Sequence, residues 1–212
     1  MLRSKFAILT VAILVALATG GSRARALEIQ VTVDSSSIPA ATAGSLDFQF
    51  SAGLPTAQTA TATVTNFAST ALTLSGISFT NSASGGPLPA TVTILNNPAF
   101  LTNRARQAVT FENASSMSFT LNITGNALTT PSSADSTFYF SLLNSSNQSI
   151  FGEYSLPHLS ITIPANGSGT LSIAAIPFIT ATVVPEPGTI ALAMAASVTL
   201  ALSMRRKARK SS

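Results

Sequence analysis

Short segments in which apolar and polar residues alternate follow one another between residues 27 and 184. Alternation with period two places one face of a strand against a core and the other face in solvent. The segments are rich in Val, Ile, Thr and Phe, which suit the half-buried surface of a sheet. Nine segments are therefore predicted as strands: EIQVTV, LDFQF, TATVTNF, LTLSGISF, TVTIL, SMSFTLNI, TFYFSLL, LSITI and TLSIAAI.

The segments between these strands carry turn signals, such as NSASGGPLP and PANGSG, and no interval has a convincing helical period. The region holds about 158 residues, which is enough for one hydrophobic core. We therefore predict an all-β fold, with residues 27–183 forming a single β-sandwich or jelly-roll-like domain of about eight to ten strands.

The first 26 residues have the three parts of a secretory signal peptide. Arg3 and Lys5 form the charged start, and residues 6–19 form an uncharged apolar helix-forming run. Small residues, Ala24 and Ala26, stand at the −3 and −1 positions of a cleavage site, which would leave Leu27 as the first mature residue. A permanent N-terminal anchor is the alternative, but the run is short of the ~20 residues that a membrane span needs.

Residues 188–204 are uncharged and apolar, and as a helix they would extend roughly 25 Å, slightly less than the ~30 Å hydrocarbon core. Such a helix can insert with local thinning of the bilayer. The basic tail, residues 205–212, would then stop transfer and stay in the cytoplasm, because each cation costs about 2.5–3.5 kcal/mol at mid-membrane. Its cations are Arg205, Arg206, Lys207, Arg209 and Lys210.

Two prolines precede this apolar run, and each biases the residue before it toward extended geometry. The sequence Val184-Pro185-Glu186-Pro187-Gly188, followed by a short span and a basic end, resembles the PEP-CTERM sorting signal of Gram-negative and related bacteria. The resemblance covers residues 184–212 and implies processing by an exosortase, a membrane-embedded cysteine transpeptidase, which releases or re-attaches the domain at the cell surface. An ordinary single-span anchor with a chance Pro-Glu-Pro is the alternative.

The net charge of +4 is unevenly distributed and does not indicate a nucleic-acid partner. Between residues 27 and 184 there are two cations and six acids, a net charge of −4, so the basic character belongs to the two ends of the chain. The chain has no cysteine, which excludes disulfides and thiolate metal sites.

Few residues of the predicted domain have the pattern of a catalytic or metal site, and we predict neither enzymatic activity nor a cofactor. His158 is the one histidine and is predicted as a structural residue at a strand edge. Arg104 and Arg106, two apart, would share a face if they lay on a strand, where they could bind an acidic polysaccharide through bidentate hydrogen bonds. The preferred interpretation is a solvated loop that balances Glu112.

A second resemblance covers residues 44–156, on GSLDFQFSAG, AQTATATVTNF, PLPATVTILNNPAF, MSFTLNITGNAL and STFYFSLLNSS. These segments are similar to a group of PEP-CTERM proteins with an exported all-β domain of unassigned activity. The similarity implies architecture and export, and it provides no catalytic residue. The segment LTNRARQAV departs from the pattern of that group.

The first functional hypothesis is a non-enzymatic exported protein that passes the Sec translocon, signal peptidase and an exosortase. It would be anchored briefly in the inner membrane and then reside at the cell surface or outside the cell, associated with exopolysaccharide or biofilm matrix. The alternative is a secreted carbohydrate-binding or carbohydrate-active jelly roll. A pair of carboxylates in a concave face lined by Phe138, Tyr139 or Tyr154 would favour this alternative. A self-assembling surface protein is a third hypothesis, because few charges protect the strand edges.

Overall fold

A computed structural model describes residues 26–112 and 116–185 of the protein. This part of the chain is all-β, which confirms the predicted fold class, and its only helical element is a single 3₁₀ turn at Asn126–Leu128. It contains twelve strands, more than the eight to ten expected. The strands are β1 Ala26–Asp34, β2 Thr42–Ala52, β3 Thr61–Ser69, β4 Leu72–Thr80, β5 Ala83–Gly85, β6 Val92–Leu95, β7 Asn103–Phe111, β8 Ser116–Thr124, β9 Ser136–Asn144, β10 Leu159–Ile163, β11 Ser172–Ala175 and β12 Ile179–Val184.

The strands form two six-stranded antiparallel sheets. The first sheet has the order β12-β1-β8-β3-β6-β5, and the second has the order β11-β10-β9-β2-β7-β4. The chain crosses between the sheets at each of the first four connections, since β1, β3 and β5 lie in the first sheet and β2 and β4 in the second. Most neighbours in a sheet are therefore distant in sequence.

One apolar core lies between the two sheets, and the alternating patterns of the sequence supply it. Strand β1 shows the pattern most cleanly, because every second residue from Leu27 to Val33 is buried. Three phenylalanine rings join the two sheets at the centre of the core. Phe119 of β8 lies 5.5 Å from Phe48 of β2 and 5.2 Å from Phe140 of β9, measured between ring centroids. Edge-to-face contacts of this kind add stability beyond that of buried area alone.

Strand β7 is the most important element that the sequence pattern does not predict, since a loop is expected at this segment. Its inward positions alternate as a strand requires, but two of them are the amides Asn103 and Gln107, which are fully buried. Gln107 accepts a hydrogen bond from the Leu88 backbone N–H at 3.1 Å, and Asn103 donates to the Phe50 carbonyl at 3.2 Å. Polar inward residues of this kind weaken the apolar signal, and here loops and a neighbouring strand satisfy them.

The short β5 and the terminal β12 were missed as well. Strand β5 has three residues, and β12 lacks a strict alternation of buried and exposed positions. Strand β12 pairs with β1 in a register that places Val184 opposite Glu28. The two ends of the described chain, at Ala26 and Pro185, therefore leave the first sheet side by side at the same end of the sandwich.

The predicted signal helix and transmembrane helix lie in residues 1–25 and 186–212, outside the described residues. Within the described ranges, no helix has the length and apolar character needed to cross a membrane. Of the predicted cleavage residues, Ala26 and Leu27 begin β1, where they pair with Thr124 and Ile123 of β8. Val184, the first residue of the predicted sorting signal, ends β12, and Pro185 follows it, exposed.

Candidate functional site

The outer face of the second sheet carries a compact group of polar side chains where β7, β2 and β9 run next to one another. The strand register sets two rows across these strands. In one row Arg106, Asp47 and Ser141 are opposite one another, and in the next row Arg104, Gln49 and Tyr139 are. Period-two alternation places both rows on the face opposite the Phe48 and Phe50 side chains.

Asp47 lies at the centre of this group and is 2% exposed, although it points away from the core. Its two carboxylate oxygens accept hydrogen bonds from Nε and Nη2 of Arg104, the second at 2.8 Å. Gln49 donates a further bond at 2.7 Å, and Arg106 Nε lies at 3.5 Å. A buried carboxylate is tolerated only with such partners.

The segment between β9 and β10, residues 145–158, folds over one side of this face and is called the β9–β10 loop below. Asn147 in this loop accepts a hydrogen bond from Arg106 Nη1 through its side-chain oxygen. The backbone of Asn147 has a positive φ of 61°, a conformation that asparagine tolerates better than most residues. The contact fixes the Arg106 guanidinium between the buried carboxylate and the loop.

Together these residues line an open cleft of about 550 Å³. Ser141, Leu143, Leu156 and Pro157 complete its wall beside the residues already named. Strand directions place the β9–β10 loop at the end of the sheets opposite Ala26 and Pro185, where the described chain begins and ends. Residues 35–41 lead from the far end of β1 into β2, and Gly44 near the start of β2 pairs with Asn144, the last residue of β9.

The interpretation of Arg104 and Arg106 as a solvated loop is therefore wrong. Both lie on β7, share its outward face and keep only 29% and 26% of their side chains exposed. Their carboxylate partner is Asp47, since Glu112 instead accepts a hydrogen bond from the Thr73 hydroxyl at 3.2 Å. The alternative, two guanidiniums on one face of a strand, is the arrangement found.

His158 lies immediately before β10 and is 1% exposed. Its Nδ1 accepts a hydrogen bond from the Leu142 N–H at 3.1 Å, so the neutral ring carries its proton on Nε2 and donates it to Ser149 Oγ at 2.9 Å. A ring in this tautomer cannot remove the serine proton, and so the pair is not a nucleophile with its base. Burial lowers the pKa of His158 to about 4, which keeps it neutral at physiological pH.

These contacts give His158 a structural role, as predicted from the sequence: it ties the last residue of the β9–β10 loop to Leu142 of β9 and to Ser149 within the loop. Its imidazole also contacts the Phe151 ring edge-on, with the ring centroids 5.1 Å apart. Because this loop forms one wall of the cleft, His158 helps to fix the shape of the site without lining it.

The three aromatic residues considered for a carbohydrate site have different surroundings. Tyr139 lines the cleft, Phe138 is fully buried in the core, and Tyr154 packs edge-on against Phe178 with ring centroids 5.5 Å apart. Asp47 is the one carboxylate among the residues that line the cleft. In the described ranges 26–112 and 116–185, no group of three or more His, Asp or Glu is placed to hold a metal ion.

Asp47, Gln49 and Asn147 are parts of the site that the sequence pattern does not predict. The segment LDFQF does show Asp47 and Gln49 as the outward residues of a strand. Their partners come from strands roughly 55 and 90 residues further along the chain, and only the sheet order brings them together. The available signal is the two-residue spacing of Arg104 and Arg106 in NRARQAVTF. On a strand, this spacing places both arginines on the same face.

Comparison of the chain with protein-family models, with curated proteins and with solved structures gives no match.

Proposed function

We propose that this protein is exported, is sorted and trimmed at its C-terminal signal, and acts without catalysis at the cell surface or outside the cell. In this proposal its β-sandwich binds extracellular polysaccharide through the outer-face cleft. The partners during export are the Sec translocon, signal peptidase and an exosortase, and the chain passes through a stage anchored in the inner membrane. Nucleic acid is not a partner, because the segment between the two predicted membrane-directed ends has a net charge of −4.

The position of the chain ends supports the export part of the proposal. Ala26 and Pro185 leave the sandwich at the same end, so both predicted hydrophobic segments can reach one bilayer from one side of the domain. The β9–β10 loop lies at the opposite end and would then point away from that bilayer. Pro185, the first residue of the Pro-Glu-Pro sequence, directly follows β12, which supports processing just beyond the last strand.

The strand order supports a jelly roll for β1 to β8. These strands give the orders β1-β8-β3-β6 in one sheet and β2-β7-β4 in the other, as two interleaved Greek keys require. Strand β5 joins β6 instead of β4, and β9 to β12 extend the sheets beyond β2 and β1. Jelly rolls occur in lectin domains among others, and the strand order therefore agrees with a sugar-binding role.

The observation that carries the binding part is the cleft itself. It combines a tyrosine ring, two guanidiniums, two amides and a serine around about 550 Å³, within the usual range of roughly 300–1,000 Å³ for ligand pockets. A mixture of apolar and convergent polar groups is typical of sites that bind a polar organic ligand. Its single carboxylate, Asp47, is held by Arg104 and Gln49, whereas glycoside hydrolysis uses a pair of free carboxyl groups.

The test is binding of the protein, purified from the cells that produce it, to the extracellular polysaccharide of those cells. We expect depletion of the protein from solution in proportion to added polysaccharide. We also expect the variant Tyr139→Ala to bind at least tenfold more weakly, while Tyr154→Phe, outside the cleft, binds as the unmodified protein does. Absence of binding, or equal binding of both variants, would overturn the proposal. Release of reducing sugar during the assay would contradict its non-enzymatic part.

A further inference from the structure

The only two cations between residues 27 and 184 lie side by side in this cleft. Of the five other acids in that segment, none lines the cleft with Asp47. Two guanidiniums and one carboxylate leave the cleft with one positive charge, on a segment whose net charge is −4. A local charge of opposite sign to its surroundings attracts an anion and directs it to this place.

The guanidinium groups still have hydrogen-bond donors to offer. Arg104 uses Nε and Nη2 for Asp47, and Arg106 uses Nη1 for Asn147 and lies with Nε 3.5 Å from Asp47. Among the residues that the structure describes, no protein acceptor bonds Arg104 Nη1 or Arg106 Nη2. Each guanidinium therefore keeps one nitrogen, Arg104 Nη1 and Arg106 Nη2, that no protein acceptor in the described part of the chain uses.

The buried Asp47 fixes both arginines before any ligand arrives. A long, flexible side chain normally loses rotamer freedom when a ligand immobilises it, and this loss weakens binding. Contacts with the carboxylate, with Gln49 beside it and with Asn147 have already imposed that order here. Two fixed and charged N–H donors, one from each arginine, suit an ionised carboxylate, which accepts charge-assisted hydrogen bonds at both oxygens, better than they suit a hydroxyl group.

We propose that the cleft binds the carboxylate of an acidic sugar residue, with Arg104 and Arg106 as its donors. This inference rests on the proposed function and names the class of polysaccharide: one that contains uronic acids. The sugar ring lies near Tyr139, and the Gln49 and Asn147 amides are placed to bond its hydroxyl groups. One net positive charge suits one carboxylate for each site.

The experiment measures binding by calorimetry with three probes of matched length: oligogalacturonate, its methyl ester and a neutral dextran oligomer. The protein is purified from producing cells. We expect oligogalacturonate to bind at least tenfold more tightly than its methyl ester, with an affinity that falls as salt is raised. Inorganic sulfate should compete much more weakly than free galacturonate, because it lacks the sugar ring.

The variants separate charge from geometry. Arg106→Gln should lower the oligogalacturonate affinity at least tenfold, while Arg106→Lys, which keeps the charge but not the planar fork, should be intermediate. Glu112→Gln, which changes a charge outside the cleft, is the control and should bind as the unmodified protein does. Unfolding in urea verifies that each variant is folded.

The outcomes distinguish this inference from the proposed function. Equal binding of the ester and the acid, or full binding by Arg106→Gln, would overturn the carboxylate site and leave polysaccharide binding intact. Competition by sulfate as strong as by galacturonate would also overturn it, in favour of a general anion site. If none of the three probes binds and the cells' own polysaccharide also fails, the proposed function itself is wrong.

Discussion

The buried pair of Asp47 and Arg104 makes a quantitative prediction about stability. Removal of the arginine, as in Arg104→Gln, would leave a carboxylate that is 2% exposed with one amide donor at 2.7 Å and Arg106 at 3.5 Å. Breaking a buried ion pair from one side costs about 3–5 kcal/mol, since an uncompensated charge remains. Because Arg106 still lies near the carboxylate, we expect the loss of unfolding free energy at the lower end of this range, about 3 kcal/mol.

The neighbouring arginine should matter much less to stability. Arg106→Gln removes a 3.5 Å contact with Asp47 and a bond to the exposed Asn147, and for such contacts a loss of about 1 kcal/mol is expected. The double variant Asp47→Asn with Arg104→Gln removes both charges of the buried pair. It should recover about 2 kcal/mol of what Arg104→Gln alone loses, because no buried charge is left unpaired.

Urea unfolding followed by circular dichroism measures these differences, with the free energy taken by linear extrapolation and the slope m verified to be unchanged. A domain of this size is stable by about 5–15 kcal/mol, so a change of 3 kcal/mol moves the midpoint clearly. If Arg104→Gln and Arg106→Gln lose the same small amount, below about 0.5 kcal/mol, Asp47 is not held as described. The absence of any recovery in the double variant would refute the reasoning equally.

Three further predictions concern the loop and the core. His158 has a pKa of about 4 in the folded protein against 6.5 when unfolded, so between these pH values the unfolded chain binds more protons than the folded one. The free energy of unfolding should therefore fall by about 3 kcal/mol from pH 6.5 to pH 4. A His158→Gln variant whose stability fell as steeply over this range would contradict the prediction. Phe119→Ala should lower the free energy of unfolding in urea by about 3–5 kcal/mol, because the ring is buried at the centre of the core. Phe100→Ala, at a residue that is 41% exposed, should lower it by less than about 1 kcal/mol. Equal losses in the two variants would be inconsistent with the core described. Gln107→Leu removes the acceptor of the hydrogen bond from the buried Leu88 N–H. Hydrogen exchange at the Leu88 amide should therefore accelerate, and the free energy of unfolding should fall by about 1–3 kcal/mol. An unchanged exchange rate would exclude this hydrogen bond.

The fold could be predicted from the sequence wherever one face of a strand is apolar. Strand β1 and the β9 segment are of this kind, since most of their buried positions are Val, Ile, Leu or Phe. Strand β7 could not be recognised in the same way, because Asn103 and Gln107 occupy inward positions. A side chain amide is tolerated in the core only when loops or neighbouring strands supply its partners, and a local pattern does not contain those partners.

The candidate site was less predictable than the fold because it depends on strand order. Asp47, Arg106 and Ser141 form one row only after β2 is placed between β7 and β9. No periodicity along the chain specifies that placement, since each pairing joins segments that are distant in sequence. The sequence did provide the two arginines and Tyr139 as candidates, and the sheet brought them to the same cleft.

We propose that the β-sandwich works outside the cytoplasm after both ends of the chain have been removed. The intact mass of the protein recovered from the envelope and from the culture medium is the measurement that decides this. We predict a mature form that begins at Leu27 and ends within or close to the Pro-Glu-Pro motif at residues 185–187. Recovery of the whole 21.7 kDa chain, folded and untrimmed in the cytoplasm, would contradict the claim.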